Sequence, residues 1–146
     1  MATSAITVWN SLYTAIVAAI EGTDVGKFRK IHDGYFDPLS SVLPALGMEV
    51  IQVDRGMQIG DEFRKIITMK IRIAYEITAS RPNQTALTQM SYVEDFLDTL
   101  AITDGFKFRQ EQKWSISNPA DTEAPSQVGT CEALFTCEAN VTFGDN

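Results

Sequence analysis

The chain has one histidine, two cysteines, five prolines and two tryptophans in 146 residues, and no long uninterrupted apolar run. Each scarcity excludes something. A helix that crosses a bilayer needs about 20 consecutive apolar residues, so the sequence does not read as a helical membrane protein. A zinc site needs three or four convergent ligands, which the single His32 cannot supply, and Cys131 and Cys137 at i, i+6 match no metal-ligand spacing. The glycine loops that cradle phosphates (G-x-x-x-x-G-K-[ST] and G-x-G-x-x-G) and the nucleophile elbow G-x-S-x-G are missing. His32 and Asp33 are adjacent, but neighbours on a strand point to opposite faces, a poor arrangement for a base and its orienting acid. We therefore expect no catalytic, cofactor-binding or metal-binding residues.

Basic residues are absent from 118 to 146, a stretch with Asp121, Glu123, Glu132, Glu138 and Asp145, whereas half of all Lys and Arg lie between Arg55 and Arg81. Attraction between these two segments, within one subunit or between two, is a use for that polarity. The net charge of −7 argues against a general nucleic-acid binder, which needs a basic surface to neutralise phosphates. On a single strand, Cys131 and Cys137 would be roughly 20 Å apart, far past the ~7 Å Cα limit for a disulfide. They read as two buried free thiols in a reducing compartment. The N-terminus has polar residues at helical spacing and no basic leader, and reads as part of the fold.

What is present is strong alternation. Within EFRKIITMKIRIAYEIT, residues 62 to 78, Ile67, Met69, Ile71, Ile73, Tyr75 and Ile77 are apolar at every second position. This predicts a long half-buried strand in which a one-residue slip would turn six large apolar groups outward. Its other face carries Arg64, Thr68, Lys70, Arg72 and Glu76, interrupted by Ile66 and Ala74.

Ahead of it, Trp9, Leu12, Tyr13, Ile16, Val17 and Ile20 form the stripe of a helix from Ser4 to Glu21, capped by Thr3 or Ser4 and ended by Gly22. A short strand is expected at Lys27 to His32, ended by an Asp33-Gly34 turn, and a second at GMEVIQVD, whose imperfect alternation suggests partial cover on both faces. Residues 54 to 62, DRGMQIGDE, read as a polar hairpin loop with Met57 and Ile59 near its tip.

After the long strand, a second helix is expected from about Thr85 to Ala101, capped by Asn83 or Thr85. Leu87, Met90, Val93, Leu97 and Leu100 would form its buried stripe, with Phe96 at the margin. Two strands close the chain. One has Phe106, Phe108, Trp114 and Ile116 on one face; the other buries Cys131, Ala133, Phe135, Cys137, Ala139, Val141 and Phe143. The segment 118 to 129 between them reads as a loop. The sum is one α+β domain, residues 1–146, with an antiparallel or mixed β-sheet of about four to five strands and two helices packed on one face.

This order resembles the tail terminator (minor tail or tail completion) proteins of long-tailed bacteriophages. The likeness is carried by the N-terminal amphipathic helix, the proline-led strand LPALGMEVIQV and the hairpin into FRKIITMKIRIAYEI. The helix LTQMSYVEDFLDTL and the closing strands GFKFRQEQKWSIS and TCEALFTCEANVTF complete it. The segment from Gly22 to Pro44 and the 118 to 129 loop are longer than in the smaller members. The resemblance implies a structural virion protein and no enzyme: a homo-oligomeric ring, hexameric in that family, on the head-proximal end of the tail tube. Such a ring ends tube polymerisation and offers a surface for head-tail joining. The implied partners are further copies of the chain, the tail tube protein and a neck or head-completion protein, with no cofactor, no membrane and no specific nucleic-acid binding. DNA would pass through an acidic lumen without sticking, since like charge removes the phosphate-binding term.

On this reading Arg55, Met57, Ile59 and Asp61 are candidates for tube or ring contacts, and Lys70, Arg72, Glu132 and Glu138 for subunit contacts. Two alternatives stand beside it. One is a neck or head-completion connector of the same particle. The other is a small cytoplasmic ligand-binding domain with Trp9, Tyr75 and Trp114 lining a pocket.

Overall fold

A computed structural model describes residues 5–21, 28–38, 42–59, 62–77, 82–103, 107–117 and 127–142. The elements run α1 (Ala5–Glu21), β1 (Lys30–Asp33), β2 (Ala45–Ile59), β3 (Glu62–Ile77), α2 (Pro82–Thr103), β4 (Lys107–Ser117) and β5 (Gln127–Thr142). The strands form one mixed sheet in the order β1-β2-β3-β5-β4, with β1 parallel to β2 and every other pairing antiparallel. The α+β class, the strand count and the pair of helices agree with the sequence reading.

β3 is the middle strand of the five and is paired along nearly its whole length on both sides. Its alternation meets that of β5 residue for residue: Ile67 lies opposite Cys137, Met69 opposite Phe135, Ile71 opposite Ala133 and Ile73 opposite Cys131. All eight are buried. Three of the four pairs set a large side chain against a small one and the fourth sets Met69 against Phe135, so the two strands share one layer beneath the helices. Helix α1 adds Val8, Trp9, Leu12 and Ile16 to this core, and α2 adds Ala86, Met90, Val93, Phe96 and Leu97. Full burial of one such side chain is worth about 1.5–3 kcal/mol. Cys131 and Cys137 are free thiols in this layer, as their spacing requires.

Several boundaries and faces differ from expectation. α2 starts at Pro82 and not near Thr85, since a proline at the first helical turn gives up an N–H that would have had no partner there. Met90, Val93 and Leu97 are buried as expected, but Leu87 is 58% exposed, while Phe96 and Ala86 are buried. Counting from Ala86 instead of Leu87 gives the face at Ala86, Met90, Val93 and Leu97. The side chains of Ile20 and Leu100, and all of Phe106 and Phe143, lie outside the described residues, as do the Thr3, Ser4 and Gly22 signals and most of the 118 to 129 loop.

β1 starts three residues later than expected and includes Asp33. The largest difference is at 54 to 62. There β2 does not end; it stays paired with β3 out to Ile59 opposite Glu62. Backbone pairing with β3 holds this stretch where side-chain alternation would not, and two bulges, between Val50 and Gln52 and between Arg55 and Gln58, absorb the irregular pattern.

The face of the sheet away from the helices has a small core of its own. Phe36, Ala45 and Ala74 are buried together there, with Leu43 and Val128 packed against them. This explains why Ala74 interrupts the polar face of β3. Gly47 is part of the same device, because a Cβ at that position would lie 2.5 Å from the Phe36 ring.

Candidate functional site: the open arm and outer face of the sheet

β1 pairs with β2 only from Ala45 to Met48, where all four β2 residues are buried. Beyond Met48 no strand among the described residues pairs with that edge of β2, and residues 50 to 55 are all exposed. Val50, Ile51 and Val53 are 40%, 48% and 42% exposed. The expected partial cover over this stretch is therefore absent: the broken alternation marks a bulge, and the apolar groups face solvent. Sequence reasoning put the contact element at the loop tip and missed these three residues. The signal was V-I-Q-V itself, which fits neither a buried strand nor a polar loop.

Of the tip candidates, Arg55 is exposed on this arm. Met57 and Ile59 are on β2, but their side chains, and all of Asp61, lie outside the described residues. The four subunit-contact candidates are on the outer face, where β3 and β5 bring them into one row. Nε and Nη2 of Arg72 both donate to Oε2 of Glu132, at 3.1 and 2.9 Å, and the two residues are directly paired across the strands. Glu138 accepts from Nη1 of Arg64 at 3.2 Å. Lys70 is half-buried and in register with Glu49 of β2. The basic and acidic segments thus meet within one subunit. Exposed pairs of this kind contribute about 0.2–1 kcal/mol each.

Above this row the 34–37 segment folds back. The Tyr35 ring is 5.0 Å from the Arg72 guanidinium and 67% exposed, and Phe36 stacks on His32 with centroids 4.5 Å apart. Tyr35, Phe36, Glu49, Lys70 and Arg72 surround a shallow depression that is open to solvent. Burial first, and then the charge of Lys30, lower the pKa of His32 from its usual 6.5. Asp33, on the opposite face, accepts from Nε1 of Trp9 at 3.3 Å. His32 and Asp33 therefore serve separate layers, as strand geometry dictates.

The aromatic residues that a ligand-binding reading would use are packed instead. Tyr75 is 1% exposed, and burial, followed by the nearby Cys131, pushes its hydroxyl up to about 12. Trp114 meets Phe135 edge-on, with centroids 5.8 Å apart, and donates from Nε1 to Glu94 at 3.2 Å. Burial pushes both cysteine thiols up to about 12, with Glu138 adding to the effect at Cys137. Neither thiol is a nucleophile at neutral pH in this setting.

Among the described residues no group of three or more His, Cys, Asp or Glu side chains could hold a metal ion, and no helix is long and apolar enough to cross a membrane. Compared with known protein families and with characterised proteins, the chain matches none. What the geometry offers is a contact surface: an open strand edge, an exposed apolar patch and a row of paired charges.

Proposed function

We propose that this chain is a structural ring subunit of a long-tailed phage. It would sit at the head-proximal end of the tail tube, end tube growth and present a face for head-tail joining. The observation that carries the reading is the β2–β3 hairpin, strands of 15 and 16 residues, whose β2 residues 50 to 55 are all exposed. A long exposed arm with apolar side chains is unfavourable in an isolated subunit and useful in an assembly. The order of elements, which resembles the tail terminators, supplies the identity of that assembly.

Arg55, Met57, Ile59 and Asp61 at the far end of the arm are the proposed contacts with the tube or ring. Lys70, Arg72, Glu132 and Glu138 are the proposed outer-face contacts between subunits; their internal pairing would fix them in place for a neighbour's charges.

The test is solution mass by light scattering across a concentration series, with negative-stain images of the largest species, repeated after adding tail tubes. Rings of about six copies, formed alone or on tube addition, support the reading. A monomer or dimer that ignores tubes ends it. Charge reversal at Arg72 that leaves assembly unchanged would remove the outer-face assignment alone.

A further inference from the structure

Among the described residues the sheet has two edges of equal length with no neighbouring strand. On one side β2 is free from Glu49 to Ile59; on the other β4, Lys107 to Ser117, pairs only with β5. Each edge offers 11 residues of backbone, roughly 36 Å at a strand's rise. Unpaired edges of this length are templates for strand addition unless something guards them. β4 carries Lys107, Arg109 and Lys113, all exposed, which disfavour pairing with a second β4 but not with an edge of opposite charge, whereas β2 presents Val50, Ile51 and Val53.

Three features make the two edges fit each other. The first is direction. Three successive antiparallel pairings, β2–β3, β3–β5 and β5–β4, leave β4 running opposite to β2 within one copy. Copies related by rotation about an axis along the strands therefore set β4 of one antiparallel to β2 of the next, and the ladder continues without a change of pattern. The second is charge. The open part of β2 carries Glu49 and Asp54 against Arg55, while β4 carries Lys107, Arg109 and Lys113 against Glu111. The third is apolar surface. Ile116 on β4 is 43% exposed and Ile51 on β2 is 48% exposed; an antiparallel alignment of the two brings Lys113 near Asp54, across the β2 bulge at Ile51 and the β4 irregularity between Gln112 and Ser115. Neither Lys113 nor Asp54 forms an ion pair among the described residues.

We propose that the open edge of β2, Glu49 to Ile59, is where a second copy of this chain adds its β4 edge, with Ile51 against Ile116 and Asp54 against Lys113. The two patches differ, so the contact is head-to-tail; it closes into a ring or runs on as a filament, and it does not stop at a dimer. This inference rests on the ring reading and specifies its subunit contact.

Disulfide trapping tests it. Ile51 and Ile116 are both exposed, and the native thiols are buried and protonated, so Ile51→Cys and Ile116→Cys introduce the only readily oxidised sulfurs among the described residues. Under mild oxidation, with and without tail tubes, the double variant is expected to give a covalent ladder beyond the dimer, and each single variant no ladder. In parallel, Asp54→Lys raises the concentration needed for assembly about tenfold, roughly the effect of one opposed charge contact, and Lys113→Asp in the same chain restores it.

Rings seen by scattering with no ladder and no effect of Asp54→Lys would overturn the β2–β4 contact and leave the ring reading standing. Covalent dimers from Ile51→Cys alone would overturn it in favour of a two-fold β2–β2 contact. A chain that stays monomeric in every condition would overturn both.

Discussion

The two stretches of β2 on either side of Glu49 have much the same chemistry and opposite fates. Ala45, Leu46, Gly47 and Met48 are buried, while Val50, Ile51 and Val53 are between 40% and 48% exposed. Valine and isoleucine are no more polar than leucine and methionine, so hydrophobicity does not decide between them. Cover does. The first stretch has β1 at its edge, the helix layer on one face and Phe36 on the other; among the described residues the second has only β3 beside it in the sheet. Burial in this sheet is conferred by what the rest of the chain brings to a strand.

That contrast can be broken by substitution. Leu46→Ala removes methyl groups from a fully covered site and is expected to cost about 2–5 kcal/mol, read from the denaturant midpoint at unchanged slope. A cost below 1 kcal/mol would mean that the covered stretch is as loose as the open one. Gly47→Ala probes the cover itself. Its Cβ drives the Phe36 ring off Ala45 and Ala74, at about 1–3 kcal/mol, and Phe36→Leu in the same chain should return part of the loss by making room.

Among the described residues one polar side chain is buried. Gln89 on α2 is buried, and its Oε1 finds no hydrogen-bond donor among the described residues. Gln89→Met should therefore raise stability by about 1 kcal/mol, a gain in melting temperature that a satisfied amide would not allow. The smallest effect belongs to the open arm: Ile51→Ala should shift the unfolding midpoint by no more than about 0.5 kcal/mol in the dilute chain. A shift as large as that of Leu46→Ala would show that the arm is covered in solution.

How far the sequence could be read follows the same division. The alternation of Ile67 to Tyr75 and of Cys131 to Cys137 located the central strands, their buried faces and the two free thiols, because each residue type there matches its surroundings. The face of α2 is legible at Met90, Val93 and Leu97 and misleading at its start, since Leu87 has the character of a core residue and Ala86 does not; small side chains under a helix carry little pattern. The zipped stretch at 54 to 59 was illegible for another reason. Glycine, glutamine and charge signal a loop, and only the pairing partner on β3 makes the segment a strand.

The outer-face candidates Arg72 and Glu132 were found as charges of opposite sign without their direct pairing, which depends on the β3–β5 register. The Phe36 cluster was missed altogether, because a ring that covers a sheet from a loop leaves no periodic trace.

β1 is only four residues long, and the manner of its ending matters more than its length. Gly34, at φ 116, turns the chain away from the sheet in a conformation other residues avoid, yet its N–H still donates to the Met48 carbonyl at 2.8 Å. The last rung on this side is thereby pinned, and Glu49 becomes the first rung left vacant. β1 acts as a doorstop. A chain in which it ran two residues further would move the start of the vacancy by about 7 Å and change the phase of any strand that docks there. The position of one glycine thus sets where the outside world can begin to read the sheet.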